Sequence, residues 1–373
     1  MHLKTEYDWI YVPAQGEFNS TWHGLETQVD GGIQLDGSNI PRVFCPIIQT
    51  GFKPDFAAEI SNVPAELAQY LGDNPLTDWK VILADLRTNE HGIIPVHVAK
   101  HGYTVHDNRR IFDAMVKAVL KVLGEQFEIA TVGTLGAYSQ FMVSIALKGD
   151  LAGFSIGGED WHQLFFNAIS SHNSMVSSQT LLSIIRTVCM NTVLASIRDA
   201  EQAGTSAGIR HTVNSLDFIT PEIFAANLEK WIAMKETHRL TLEALRSTPM
   251  SVDSFKFFSA GVFSREDSDQ LSTRSFNRIE EMTPLFQRGK GNAGVSAYDG
   301  INAFTEYFTS GNGVGRTSTV KANKRIASAN FGRGNEWKLE AIRCASNEEV
   351  LADTLKRGEV LYTDKALVES ARN

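Results

Sequence analysis

A chain of 373 residues, 43% apolar and 21% charged, has room for two or three domains and enough apolar content to bury a core, which excludes a disordered protein. A formal net charge of −8, taken alone, argues against a nucleic-acid binder. The three cysteines (Cys45, Cys189, Cys344) are too few and too widely spaced for a disulfide scaffold or a CxxC metal or redox motif.

No apolar run approaches the roughly 18–20 residues of a spanning helix, so no membrane partner is expected. Met1-His2-Leu3-Lys4-Thr5 has no apolar h-region or cleavage site, so no export signal is expected and a reducing cytoplasm is the simplest location. Residues 1–40, rich in Gly and polar side chains, read as an N-terminal arm. Residues 41–215 read as an α+β core and 216–373 as a mainly helical C-terminal region.

Within the core, Val43–Ile48, Lys80–Ala84 and Ile93–Val98 are strand-like, with one helix near Pro64–Leu71. Asp107 or Asn108 caps a helix whose Ile111, Met115, Ala118, Val119 and Val122 form one stripe, ending at Gly124. Strands follow over Phe127–Leu135, Gln140–Lys148, Ala152–Ile156 and His162–Ile169. Leu181, Ile184, Ile185, Val188, Thr192 and Ala195 fall at helical spacing, which predicts a long helix from about Ser178 to Glu201. The fold class expected is therefore α/β of the α+β kind: helix, β-meander and long helix, then a helical half.

In that half, Thr220-Pro221-Glu222 starts a helix running to about Arg246. A second helical stretch is expected from about Ser264 to Pro284. Ser296-Ala297-Tyr298-Asp299 is a capping box opening a helix with Tyr298, Ile301, Phe304 and Phe308. Ser346-Asn347-Glu348-Glu349 opens a last helix, stopped at Gly358.

No chemical motif is complete. His97 and His101 sit four apart, flanked by His91 and His106, but on strand and turn with no Glu or Cys to finish a zinc set. Gly311–Gly315 lacks the Lys-Ser/Thr of a phosphate loop and the strand–helix setting of a dinucleotide fold. Ser171-His172 has no nucleophile elbow, and neighbours on a strand face opposite ways; His172 and Asn173 bind a ligand or end the strand. Cys189 reads as an inert buried thiol. Arg186, on a largely apolar helix, requires a buried acid or an anionic ligand. No metal, cofactor or catalytic residue is expected.

Charge is unevenly spread. Between Phe286 and Ala345, nine bases face the four acids Asp299, Glu306, Glu336 and Glu340, a net +5 against −13 for the rest. That is either scatter on a solvated face or an anion-binding segment.

Three stretches together resemble a known family: Ser171-His172-Asn173-Ser174, Arg186-Thr-Val-Cys189-Met-Asn191-Thr192, and Ala297-Tyr298-Asp299-Gly-Ile-Asn302-Ala303-Phe-Thr-Glu306-Tyr307. It is the uncharacterised phage/plasmid-like protein family of bacterial mobile elements, and the resemblance runs from about residue 40 to 345. This chain departs in having Asn173-Ser174 where the family tends to have Asp-Gly. Membership implies a cytoplasmic protein of a plasmid, phage or integrated element, without supplying an activity. At the level of topology, residues 106–201 look like the core of single-strand annealing recombinases, which form rings and hold single-stranded DNA in an outer groove.

That likeness implies a non-enzymatic protein that binds and anneals single-stranded DNA as a homo-oligomeric ring or filament. Arg186, Arg198, Arg109 and Arg110 would line the groove, and Arg316, Lys321, Lys324, Arg325 and Arg333 would add phosphate contacts. The rivals are an anti-defence protein engaging a host protein through its acidic surface, an unrecognised nuclease, and a structural shell protein.

Overall fold

The computed structural model describes residues 47–52, 79–86, 92–100, 102–135, 138–158, 160–173, 177–186, 191–195, 209–212, 215–264, 270–310 and 333–371. The expected helix near Pro64–Leu71, Cys189 and the 311–332 segment lie outside them. The fold is mixed α+β with antiparallel sheets and a helical C-terminal half, as the patterning predicts. Among the described residues no helix is long and apolar enough to cross a membrane.

Strands β1 (Ile47–Phe52), β2 (Trp79–Leu86) and β3 (Gly92–Lys100) form a three-stranded antiparallel sheet in sequence order. Helix α1 (Asn108–Leu123) follows. Asp107 caps it, accepting from the backbone N–H groups of Arg109 and Arg110, and Ile111, Met115, Ala118 and Val119 are buried as the stripe requires. Next come β4 (Phe127–Leu135), β5 (Gln140–Leu147), β6 (Gly153–Ile156), β7 (Asp160–Ser171), β8 (Gln179–Arg186) and β9 (Asn191–Ala195). They make an antiparallel sheet ordered β4-β5-β7-β8-β9, with β6 on β7.

The long helix expected over 178–201 is instead the pair β8 and β9, joined in register from Ser183↔Ala195 to Arg186↔Asn191. Residues 178–184 are buried without a break. A strand covered on both faces loses its two-residue alternation, and a continuous apolar run then mimics a helix stripe. The same double burial runs through β5, where every residue is buried.

The C-terminal half is all helix: α2 (Pro221–Ala233), α3 (Lys235–Ser247), α4 (Val252–Phe263), α5 (Thr273–Arg288), α6 (Ala297–Ser310), α7 (Arg333–Ala345) and α8 (Glu348–Ser370). Thr220 caps α2 with Pro221 at its first position, but the run expected to Arg246 divides at Met234. The stretch expected from Ser264 to Pro284 begins later, as α5 from Thr273 capped by Ser272, while α4, capped by Ser251, ends before it at Phe263 and lies where no helix was expected. The Ser296 box holds: Asp299 accepts from the Ser296 backbone N–H at 3.1 Å and hydroxyl at 2.9 Å, and its own N–H donates to Ser296 Oγ at 3.3 Å.

Helix α8 is capped by Asn347, one residue later than expected, and runs straight through Gly358. That glycine is a packing position. A Cβ there would collide with the Phe257 carbonyl, and one at Gly261 with the Thr354 carbonyl, so α4 and α8 cross backbone to backbone. Helix α1 packs on α2 and β7, and α6 and α7 both pack against β9.

Candidate functional site

The expected basic residues are dispersed where they are described. Arg109 and Arg110 share the first turn of α1; Arg109 Nε donates to Asp113 at 2.9 Å and Arg110 Nη2 to the Leu216 carbonyl at 2.6 Å. Arg186 ends β8, in register with His162 on β7 and Asn191 on β9. Arg333 opens α7 with its guanidinium 5.7 Å above the centre of the Trp337 ring. Arg198, Arg316, Lys321, Lys324 and Arg325 lie outside the described residues. Of the histidines singled out by spacing, His97 is on β3 and His106 precedes α1, and among the described residues no group of His, Cys, Asp or Glu is placed to hold a metal ion.

His106 belongs to a cluster that no local spacing reveals. It is fully buried with Nδ1 2.6 Å from Ser178 Oγ and Nε2 2.6 Å from Ser215 Oγ. Ser215 spends its proton on the Thr212 carbonyl, so Nε2 of His106 is the donor and Nδ1 accepts from Ser178. Ser170 Oγ lies 2.7 Å from Ser178 Oγ and completes the chain. His211 stacks on His106 with ring centres 3.8 Å apart and on Tyr103 at 4.8 Å, donating from Nδ1 to the Thr104 carbonyl at 3.0 Å.

His172, the histidine of the Ser171-His172 pair, turns away from Ser171. Strand β7 ends at Ser171, and His172 places Nε2 3.1 Å from Asn108 Oδ1 and Nδ1 3.3 Å from the Tyr103 hydroxyl. Burial, then the neighbouring ring of His211, lowers His106 and His172 to about 3, while burial lowers His211 to about 4. Burial raises the Tyr103 hydroxyl. Three neutral imidazoles therefore tie the segment before α1, the end of β7, the start of β8, residues 209–212 and Ser215 into one staple.

A second polar group lies at the other end of β7. The Tyr298 hydroxyl on α6 is 2.7 Å from Asp160 Oδ2 and 2.9 Å from His162 Nε2, and His162 Nδ1 is 2.9 Å from the Asp160 carbonyl. All three residues are buried. The carbonyl only accepts, so Nδ1 carries a proton, and filling all three bonds takes three protons. Neutral histidine, tyrosine and a carboxylate supply only two. The trio is complete when one proton beyond that set is present, on His162 or on Asp160.

One turn further along α6, Asn302 is 1% exposed and neither its amide oxygen nor its nitrogen has a partner. Helix α7 contributes Lys338, 3% exposed, with no hydrogen bond or ion pair among the described residues; burial alone lowers its amine to about 7. At ~100° per residue, Lys338 sits at the centre of the buried arc of Gly334, Asn335, Ala341, Ile342 and Ala345. That arc lies opposite the Trp337–Glu340 side. Trp337 packs edge-on against Phe263 of α4, and α7 as a whole packs against α4, α6, α8 and β9.

Residues 95–330, nearly two thirds of the chain, match the family described as domain of unknown function DUF932. The chain belongs to that family. No curated protein and no solved structure matches it. The DUF932 span takes in the whole histidine staple, the Asp160–His162–Tyr298 trio and Asn302, together with the basic residues from Arg316 to Arg325. Lys338 and Arg333 follow the matched span.

Sequence reasoning reached Tyr298 and Asn302 only as letters of a motif and missed Lys338. Its signal, a lysine centred on an arc of Gly334, Asn335, Ala341, Ile342 and Ala345, has meaning only once Arg333–Ala345 is known to be a helix.

Proposed function

We propose that this DUF932 chain is a non-enzymatic, cytoplasmic protein of a phage, plasmid or integrated element that binds single-stranded DNA as an oligomer and promotes its annealing. One observation carries the reading. From Tyr307 to Asn335 there is no Asp or Glu, while Arg316, Lys321, Lys324, Arg325 and Arg333 fall within that stretch of a chain whose net charge is −8. A basic run rich in Gly, Ser, Thr and Asn suits phosphate tracking, because small residues let the backbone approach the strand. Arg333 leads directly to Trp337, an aromatic platform of the kind on which bases stack. The likeness to annealing recombinases contributes less than the sequence implied. The helix and meander exist as α1, β4, β5 and β7, but β8 and β9 replace the closing helix, so the reading rests on charge.

The test is fluorescence anisotropy of a labelled oligonucleotide with the full chain. Five phosphate contacts on a single strand give a slope near −3.5 in log affinity against log salt, so affinity should fall roughly a hundredfold between 50 and 200 mM salt. Reversing Lys321, Lys324 and Arg325 to Glu should abolish binding. A salt-insensitive affinity, or an unchanged triple variant, would overturn the reading and leave the host-protein interaction.

A further inference from the structure

We infer that the cleft between helices α7 and α8, floored by the end of α4, binds a cationic zwitterion: a basic amino acid, free or as the carboxyl-terminal residue of a peptide. The cleft measures about 690 Å³, within the usual range of small-ligand sites, and Gly261, Val262 and Ser264 form its floor. Two donors among its residues have no acceptor. Trp337 Nε1 and Arg357 Nε are buried and hydrogen-bonded to nothing, a state that costs free energy until an acceptor is seated against them. Both residues line this one cleft, and both are only partly buried. Arg357 is anchored there, with Nη2 donating to the Gly261 carbonyl at 2.9 Å and the Ser264 carbonyl at 2.8 Å. Those oxygens are neutral, and no carboxylate pairs with the guanidinium among the described residues. A guanidinium and an indole N–H side by side suit a carboxylate.

The acids narrow the ligand. Only Ser346 and Asn347 join α7 to α8, so the two helices run antiparallel. Arg333, Trp337 and Arg357 therefore stand at the far end of the cleft, with Glu349 and Asp353 nearer the joint. Glu340 is paired with Arg343 at 2.6 Å, but Glu349 and Asp353 have no ion-pair partner among the described residues. With Glu336, four acids line the cleft against three arginines, a net −1. A phosphate or a nucleic-acid strand would meet too many carboxylates there, and a simple amine would leave both N–H groups unmet. A basic amino acid has one carboxylate for Trp337 and Arg357, two cationic groups for the acids, and a net charge of the opposite sign. Strand binding is not required for this, although Arg333 and Trp337 serve both: the ring face would meet bases, and the ring N–H meets the zwitterion.

The experiment is isothermal titration of the full-length protein at pH 7 and constant ionic strength with L-lysine, lysinamide, norleucine and the tripeptide Gly-Gly-Lys. Lysine should bind about tenfold or more tightly than lysinamide, which lacks the carboxylate, and than norleucine, which lacks the side-chain ammonium. Tighter binding of the tripeptide than of lysine would assign a peptide end, and the reverse would assign the free amino acid; either supports the site. Trp337→Phe keeps the ring and removes the N–H, and should weaken lysine by about fivefold. The double variant Glu349→Gln, Asp353→Asn changes two exposed side chains and should weaken it by about tenfold or more. Circular dichroism melts establish that the variants fold, and the ligand series on wild type needs none of them. No binding of lysine or the tripeptide by wild type, equal affinity for lysine and lysinamide, or unchanged affinity in the double variant would overturn the proposal. The double variant should bind an oligonucleotide no more weakly than wild type, so loss of one activity without the other separates this site from strand binding.

Discussion

The two ends of β7, roughly 36 Å apart along an extended strand of this length, carry buried polar groups of opposite design. Beyond Ser171, His172 joins His106 and His211 in a network where both ring nitrogens of His106 and His172 meet a hydroxyl or amide partner. At the Asp160 end the trio with Tyr298 stands one turn along α6 from Asn302, whose buried amide has no partner among the described residues. A satisfied network fixes geometry, whereas unsatisfied groups of comparable burial hold free energy that a ligand can release.

The contrast breaks most visibly with acid. The three staple histidines have folded values of about 3, 3 and 4, all below the ordinary 6.5. The unfolded chain thus binds more protons below pH 6.5. Their stabilisation is complete above that pH and falls as pH drops toward 4, by up to about 1.4 kcal/mol per pH unit for each histidine. Unfolding free energies from urea titrations should fall by several kcal/mol between pH 7 and 4.5. A flat profile would mean that the staple is already protonated or open.

Next in size, His106→Ala should cost about 3–4 kcal/mol in urea unfolding at pH 7, because it strands the Ser178 and Ser215 hydroxyls and leaves a cavity. The opposite sign is expected for Lys338. Lys338→Met should stabilise the protein by about 2 kcal/mol at pH 7, since a buried amine with no partner among the described residues is replaced by an apolar chain. Lys338 has a folded value near 7 against an ordinary 10.5. Between those values the unfolded chain holds the extra proton, so this residue's contribution grows with rising pH, and the variant should lose that rise in melts from pH 7 to 9. The two clusters are thus read in separate windows, below 6.5 and above 7. Smallest of all, Arg109→Ala should change stability by less than about 0.5 kcal/mol by the same assay, because its bond to Asp113 is a partly exposed pair on one helix face.

Local signals were legible in the sequence. The caps at Asp107, Thr220 and Ser296, the α1 stripe and the strands from Phe127 to Ser171 all stand in the structure near where patterning puts them. What escaped had lost its period through burial on several sides. Strand β8 is covered on both faces. Helix α4 buries Phe255 and every residue from Phe258 to Phe263, leaving no polar face to mark a turn. The staple was out of reach for another reason: His106 and Ser215 are 109 positions apart, and no spacing rule spans that distance. Lys338 was hidden because α7 went unrecognised, so its place on a helical arc had no meaning.

The reciprocal glycines of α4 and α8 restrict how relatives of this chain can diverge. At both positions the obstructing atom is a main-chain oxygen, which no change of side chain elsewhere can move. Homologues that keep this crossing must therefore keep both glycines, and one that loses either must separate the two helices. The pair 261 and 358 thus marks, from sequence alone, which members share this arrangement of their last helix.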